Sequence, residues 1–158
     1  MKAIFQITIF FILLTICSSL AYACECDEWS QRRKFRDADA VFVGEVSMFG
    51  ERVGLNTNKD FELFPYLVTF KVEKQWKGKR QSEISAFADL KGGGMCEGFE
   101  MPVGERFLIY AQRKSGFLLV RRSFCSPSKN AKYAQNEIKN LNNFFFRAYT
   151  FLYPYPKF

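Results

Sequence analysis

The tripeptide Cys24-Glu25-Cys26 concentrates the reactive chemistry of this chain, with two thiols one residue apart and a carboxylate between them. It comes directly after a stretch that reads as a cleavable export signal, so removal of residues 1–23 makes Cys24 the first residue, its side chain beside its own α-amino group. Cys17 leaves with that leader, and Cys96 and Cys125 complete an even set of four. In an oxidising compartment such a set predicts two disulfides. A Cys24–Cys26 bridge would close a strained, tiny ring. Two crossings remain open, Cys24 with Cys96 and Cys26 with Cys125, or Cys24 with Cys125 and Cys26 with Cys96. On loop-closure reasoning, a bridge spanning about seventy to a hundred residues stabilises by roughly 4 kcal/mol. Zinc is the rival ligand for four thiolates, but Cys-x-Cys with two lone cysteines lacks the paired spacing of a structural zinc site, and the chain has no histidine. A bridged first residue is held where a chain end ordinarily frays, which makes it either an anchor or a working end.

Other groups offer less chemistry. Lys91-Gly-Gly-Gly-Met-Cys96 could cradle a phosphate, but no Lys-Ser or Lys-Thr follows it on a helix, so it reads as a loop that delivers a cysteine. Glu45 and Glu73 could pair for acid-base work, although on strands such carboxylates more often face water. Without histidine or an expected free thiol, the usual triads and thiol nucleophiles are missing, so neither an enzyme nor a cofactor is expected.

The leader itself has Lys2, an apolar run over residues 3–16 broken by Gln6, Thr8 and Thr15, then Ser18, Ser19 and Ala21-Tyr22-Ala23. Charged, apolar and small-residue regions in that order predict secretion, or periplasmic export in a Gram-negative bacterium, with no stable membrane insertion after cleavage. Ala21 stands where a lipoprotein signal wants a leucine-like residue, which disfavours a lipid on Cys24. Cleavage leaves 135 of the 158 residues, enough for one core. The formal charge of +7 falls by one with Lys2. Basic residues cluster at Arg32, Arg33, Lys34 and Arg36, at Lys74, Lys77, Lys79 and Arg80, and at Arg121 with Arg122. These clusters could suit a polyanion or simply be solvated faces. Export argues against nucleic acid.

The elements that must position these groups can be read in order. Residues 27–39 suggest a short helix with Asp27 or Ser30 as its N-cap. Residues 40–48 alternate as a strand, with Phe42, Gly44, Val46 and Met48 on one side and Gly44 marking a bulge or tight bend. Residues 49–60 read as a loop. Residues 66–76 form the clearest strand, with Val68, Phe70 and Val72 on one face and a turn at Lys77-Gly78-Lys79. Further strands are expected at 82–87, 106–111 and 117–121, separated by turns at 102–105 and 114–116. Five short strands suggest a small antiparallel barrel. Residues 128–146 carry Ala131, Ala134, Ile138, Leu141 and Phe145 at helical spacing, with Pro127 and Ser128 as a start, so a helix is expected on the barrel. The organisation predicted is a signal peptide at 1–23, one domain at 24–146 and an aromatic tail at 147–158.

Taken in order, these pieces resemble a known family. Cys-x-Cys after a signal, Ala38-Asp39-Ala40-Val-Phe-Val-Gly-Glu-Val46, Val68-Thr-Phe-Lys-Val72 with Trp76-Lys-Gly78, the glycine-rich loop with Cys96, Val103-Gly-Glu-Arg-Phe-Leu108 and Ser123-Phe-Cys125 look like the inhibitory domain of the tissue inhibitors of metalloproteinases. The likeness is to short, single-domain members of that netrin-like family and covers residues 24 to about 142. It implies a mainly β fold, a five-stranded OB-type barrel with flanking helices, and bridges Cys24–Cys96 and Cys26–Cys125. It also implies an inhibitor whose first residue, Cys24, sits on the catalytic zinc of a partner metalloprotease, while the Glu25 side chain enters the specificity pocket. Glu25 differs from the small or hydroxyl side chain of the animal inhibitors, which points toward a target with a basic pocket. A third cysteine near the helix and the animal C-terminal subdomain are both missing.

The chemistry of such a site stands on general grounds. Catalytic zinc keeps one position open for water, and an amine with its adjacent carbonyl can replace that water as a chelate. A bridged end is already ordered, so binding freezes little. The alternative is a secreted netrin-like module that binds a protein or polyanion, with both bridges purely structural.

Overall fold

Period-two alternation of apolar residues dictates the architecture, because each strand must turn one face to a common core. The computed structural model of the chain describes residue 26 and residues 29–51, 66–89, 98–122 and 125–143. Its elements are helix α1 (Gln31–Asp37), strands β1 (Ala40–Glu51), β2 (Tyr66–Lys77), β3 (Glu83–Ala88), β4 (Arg106–Lys114), β5 (Phe117–Val120) and β6 (Lys129–Asn130), a 3-10 turn (Ala131–Tyr133) and helix α2 (Gln135–Asn142). Strand neighbours run β1-β2-β3-β5-β4, and β4 pairs back onto β1, closing a five-stranded barrel, while β6 adds two residues to the edge of β4.

Every pairing is antiparallel except β3 with β5, where Phe87 faces Leu119 and Ala88 faces Val120 in parallel. The expected all-antiparallel barrel is therefore corrected to a mixed one. A closed ring of five strands cannot alternate direction all the way round, so at least one neighbouring pair must be parallel. The result is an OB-fold-like barrel with two flanking helices.

Inside the barrel lie Ala40, Phe42 and Val46 of β1, Val68 and Phe70 of β2, Ile84, Ala86 and Ala88 of β3, Phe107, Ile109 and Ala111 of β4, and Leu118 and Val120 of β5. Phe42 and Phe70 meet edge to face at 5.4 Å, each burial worth about 1.5–3 kcal/mol. The opposite faces of β1 and β4 are also buried. Val41, Val43, Leu108 and Tyr110 pack with Trp76, Ala131, Ala134 and Leu141 beneath the two helices. That double burial explains the unbroken apolar runs Ala40-Val-Phe-Val43 and Phe107-Leu-Ile-Tyr-Ala111.

β1 is longer than its expected 40–48, because Phe49, Gly50 and Glu51 continue the ladder opposite Val68, Leu67 and Tyr66. The expected inward set also changes. Register slips between Val46 and Met48, so Ser47 is an extra residue on β1, and the slip reverses the side-chain alternation. Met48 is consequently 48% exposed, and Phe49 packs on the core in its place. Gly44 behaves as expected. Register shifts there, and a Cβ would stand 2.8 Å from the Lys71 carbonyl oxygen.

Of the two N-cap candidates, Ser30 caps α1, its hydroxyl accepting from the Arg33 N–H at 3.3 Å. Lys77 closes the other end, donating to the Phe35 and Arg36 carbonyls at 2.9 Å each. The single long helix expected at 128–146 is corrected to the two-residue strand β6, a 3-10 turn and a helix that begins at Gln135. Ser128 does not start it. That side chain is buried and accepts the Tyr110 N–H at 2.9 Å, while Asn130 caps the 3-10 turn. The apolar spacing still marks the packed face, since Ala131, Ala134 and Leu141 are buried. Phe145 and the tail at 147–158 lie outside the described residues.

The β4–β5 hairpin turns on Ser115 and Gly116, both with positive φ (49° and 87°). That backbone is the type I′ turn, which favours Asn-Gly. Ser115→Asn is expected to raise stability by about 0.5 kcal/mol, shifting the thermal midpoint upward by roughly 2 °C. Calorimetry of the two proteins checks this, and an unchanged or lowered midpoint would count against it.

Candidate functional site

Cys26 is tied to the barrel by a disulfide to Cys125, Cα atoms 5.4 Å apart and 99 residues distant in sequence. Of the two crossings left open by the sequence, this bond belongs to the one that leaves Cys24 and Cys96 for each other. Cys24, Glu25 and Cys96 lie outside the described residues, as do residues 1–23, where the export signal is expected.

A second fastening lies just downstream. Gln31 at the start of α1 donates to the Glu137 carbonyl of α2 at 2.7 Å and accepts from Asn140 at 3.2 Å. The Glu137 carboxylate takes ion pairs from Lys34 and Lys129, both at 3.0 Å. Burial beside Glu137 pushes the Tyr110 hydroxyl well above its ordinary range, so it stays protonated. Cys26 and α1 are thus held at two points on the barrel.

Sequence reasoning missed a cluster at the barrel end that leads into Cys125. Arg122 follows β5, and its side chain is enclosed; the residue is 4% exposed. Its guanidinium carbon lies 4.9 Å from the Phe49 ring centre and 4.7 Å from that of Tyr66, and the two rings stack on each other at 5.2 Å. Nε and Nη2 of Arg122 both donate to the Asp89 carbonyl, at 2.8 and 2.6 Å, while an Asp89 carboxylate oxygen accepts the Arg122 backbone N–H. The Arg122 carbonyl in turn accepts the Phe99 N–H at 3.0 Å. Burial pushes the Asp89 carboxyl up and the Arg122 guanidinium down, each opposed by the charge of the other. The Arg121–Arg122 pair is therefore corrected as a surface basic cluster, because only Arg121 of the two is exposed.

The other basic groups are partly engaged as well. Arg36 forks onto Asp37, Arg33 pairs with Asp37 at 3.7 Å and stacks on Trp29 at 4.5 Å, and Lys74 lies 5.9 Å over Trp76. Lys79 and Arg80 are exposed in the β2–β3 turn. Glu45 and Glu73 both face Arg106. Glu73 is held by both nitrogens of an Arg106 fork, which keeps its carboxyl below the ordinary range, and Glu45 is exposed opposite Arg106 on the β1–β4 ladder.

Among the described residues no group of three His, Cys, Asp or Glu side chains is placed to hold a metal ion. None of the described helices is long and apolar enough to cross a membrane. The arrangement offers a barrel end where a buried cation joins the ends of β1, β2 and β3, three residues before the cysteine that holds Cys26. Comparison with known proteins finds no family model and no curated protein that matches this chain.

Proposed function

We propose that the chain is a secreted single-domain inhibitor of metalloendopeptidases, similar in design to the tissue inhibitors of metalloproteinases, in which Cys24 is presented to the catalytic zinc of the target. The observation that carries this reading is the Cys26–Cys125 bridge at the end of an OB-like barrel. Two residues of chain reach at most about 7 Å, so the proposed first residue cannot stray far from that anchor. Cys24 would then pair with Cys96, and its amine and carbonyl would chelate the zinc in place of water. Glu25 would choose the target, because a carboxylate is costly to bury in an apolar pocket and well placed against a basic one.

Ligation requires a neutral amine, whose ordinary pKa is about 7.7 to 8.0. Below that value the protonated form must lose its proton before binding, so affinity should fall about tenfold per pH unit. For the mature protein against a panel of zinc endopeptidases, inhibition is expected to weaken roughly 70-fold from pH 7.5 to 5.5. An inhibitor of the same enzyme without an ionisable amine supplies the baseline for the protease's own titration. A profile identical to that baseline would remove the amine from the mechanism. Salt-sensitive retention on heparin with no inhibition of any protease would favour the netrin-like binding module instead.

A further inference from the structure

We propose that Arg122 is a positioning residue that sets the Cys26 segment in register with the ends of β1, β2 and β3. The partners of its guanidinium share one property: each stands where a strand begins or ends. Phe49 is near the end of β1, Tyr66 opens β2, Asp89 follows β3, and Arg122 itself follows β5. Phe99, joined through the Arg122 carbonyl, lies on the run into β4 and stacks on Phe107 at 5.7 Å. One cation at the end of β5 therefore meets chain from the ends of β1, β2 and β3. Three residues further on, Cys125 holds Cys26.

A buried cation is a poor choice for filling space, since an apolar side chain of like volume packs without losing hydration. What a guanidinium adds is direction. Its flat face covers two stacked rings while its edge donates two hydrogen bonds to one carbonyl, so rings and carbonyl are fixed relative to each other. A lysine carries the same charge without the plane or the fork. The consequence for inhibition rests on the reading proposed above, whereas the placement of Cys26 does not.

The test compares the mature wild type with Arg122→Lys, and with Phe49→Leu as a second variant that removes one ring and keeps the cation. Amide hydrogen exchange is followed at residues 26–31, 66–70 and 98–101, with residues 107–111 of β4 as the control. In both variants the first three stretches are expected to exchange at least about tenfold faster while β4 stays at the wild-type rate. Inhibition measured where all the proteins are fully folded is expected to weaken about tenfold in Arg122→Lys. Exchange that is unchanged in both variants, or that rises evenly across the domain, overturns the proposal. So does an inhibition constant that Arg122→Lys leaves as it was in a wild type that inhibits. A wild type that inhibits no metalloprotease defeats the functional reading alone, and the exchange pattern then decides the role of Arg122 by itself.

Discussion

Replacing both Cys26 and Cys125 by alanine is expected to lower stability by about 4 kcal/mol while leaving the barrel folded. The bond closes a loop of 99 residues, for which chain-entropy reasoning gives roughly 4.7 kcal/mol, reduced where a second bridge already constrains part of the same loop. The barrel does not depend on the bond for its contacts. Phe42, Phe70, Phe107 and Ile109 are fully buried on strands that pair without it. α1 also keeps its Ser30 cap and its ties to Glu137. Far-ultraviolet circular dichroism should thus remain that of a β protein, while the urea midpoint falls and the slope rises, because the unfolded chain without its crosslink exposes more surface. The double replacement avoids the free thiol that a single one would leave. A loss below about 1 kcal/mol would mean that the unfolded chain is already compact between these two residues.

Much of this architecture is open to reading because the barrel is built on alternation. The inward set Phe42, Val46, Val68, Phe70, Phe107 and Ile109 follows from period two. Even the parallel β3–β5 pair is a consequence of five strands and closure, through the parity of the ring. The turns are marked by glycine, and Gly78, Gly104 and Gly116 all carry the positive φ that glycine accepts without strain. Where expectation and structure part, a tertiary contact outweighs a local signal. Ser47 looks like any polar strand residue, and nothing in its neighbours announces an extra residue; its hydroxyl is occupied with the Thr69 carbonyl across the ladder, at 3.1 Å. Ser128 carries a helix-start signature, yet its hydroxyl serves the Tyr110 N–H of a strand 18 residues away.

The site is legible in the sequence only as chemistry, not as place. Cysteine arithmetic reduces the pairings to two crossings, and the choice between them needs three-dimensional proximity, which the Cys26–Cys125 distance supplies. Arg122 is hidden by its neighbour. Two adjacent arginines read as a basic patch, but successive residues of an extended chain point to opposite sides, so Arg121 meets solvent and Arg122 the rings of Phe49 and Tyr66. Its acceptors come from Asp89, 33 residues earlier, and no local pattern connects the two. Charge alone does not separate a solvated lysine or arginine from one engaged with carbonyls and rings, as Lys77 and Arg122 are.

Extending the mature chain by one alanine before Cys24 is expected to abolish most inhibition, by at least about 100-fold, without changing the melting temperature. The added residue converts the α-amine into an amide, whose nitrogen has no lone pair free for zinc, and it forces extra chain into the space where the metal stands. Contacts at the buried centre of an interface account for about 2 kcal/mol or more each, and at least 100-fold corresponds to about 2.7 kcal/mol. Stability should not follow, because the bridge, the α1 fastenings and the barrel core all lie downstream of the change. That separation distinguishes this variant from the double alanine, in which anchoring and stability fall together. Inhibition constants and thermal midpoints of the mature and extended forms, measured on a protease that the mature form inhibits, decide the matter. Equal inhibition by the extended form would put Cys24 away from the zinc. The bridged end would then be an anchor for the barrel, and any partner would have to be sought on another face.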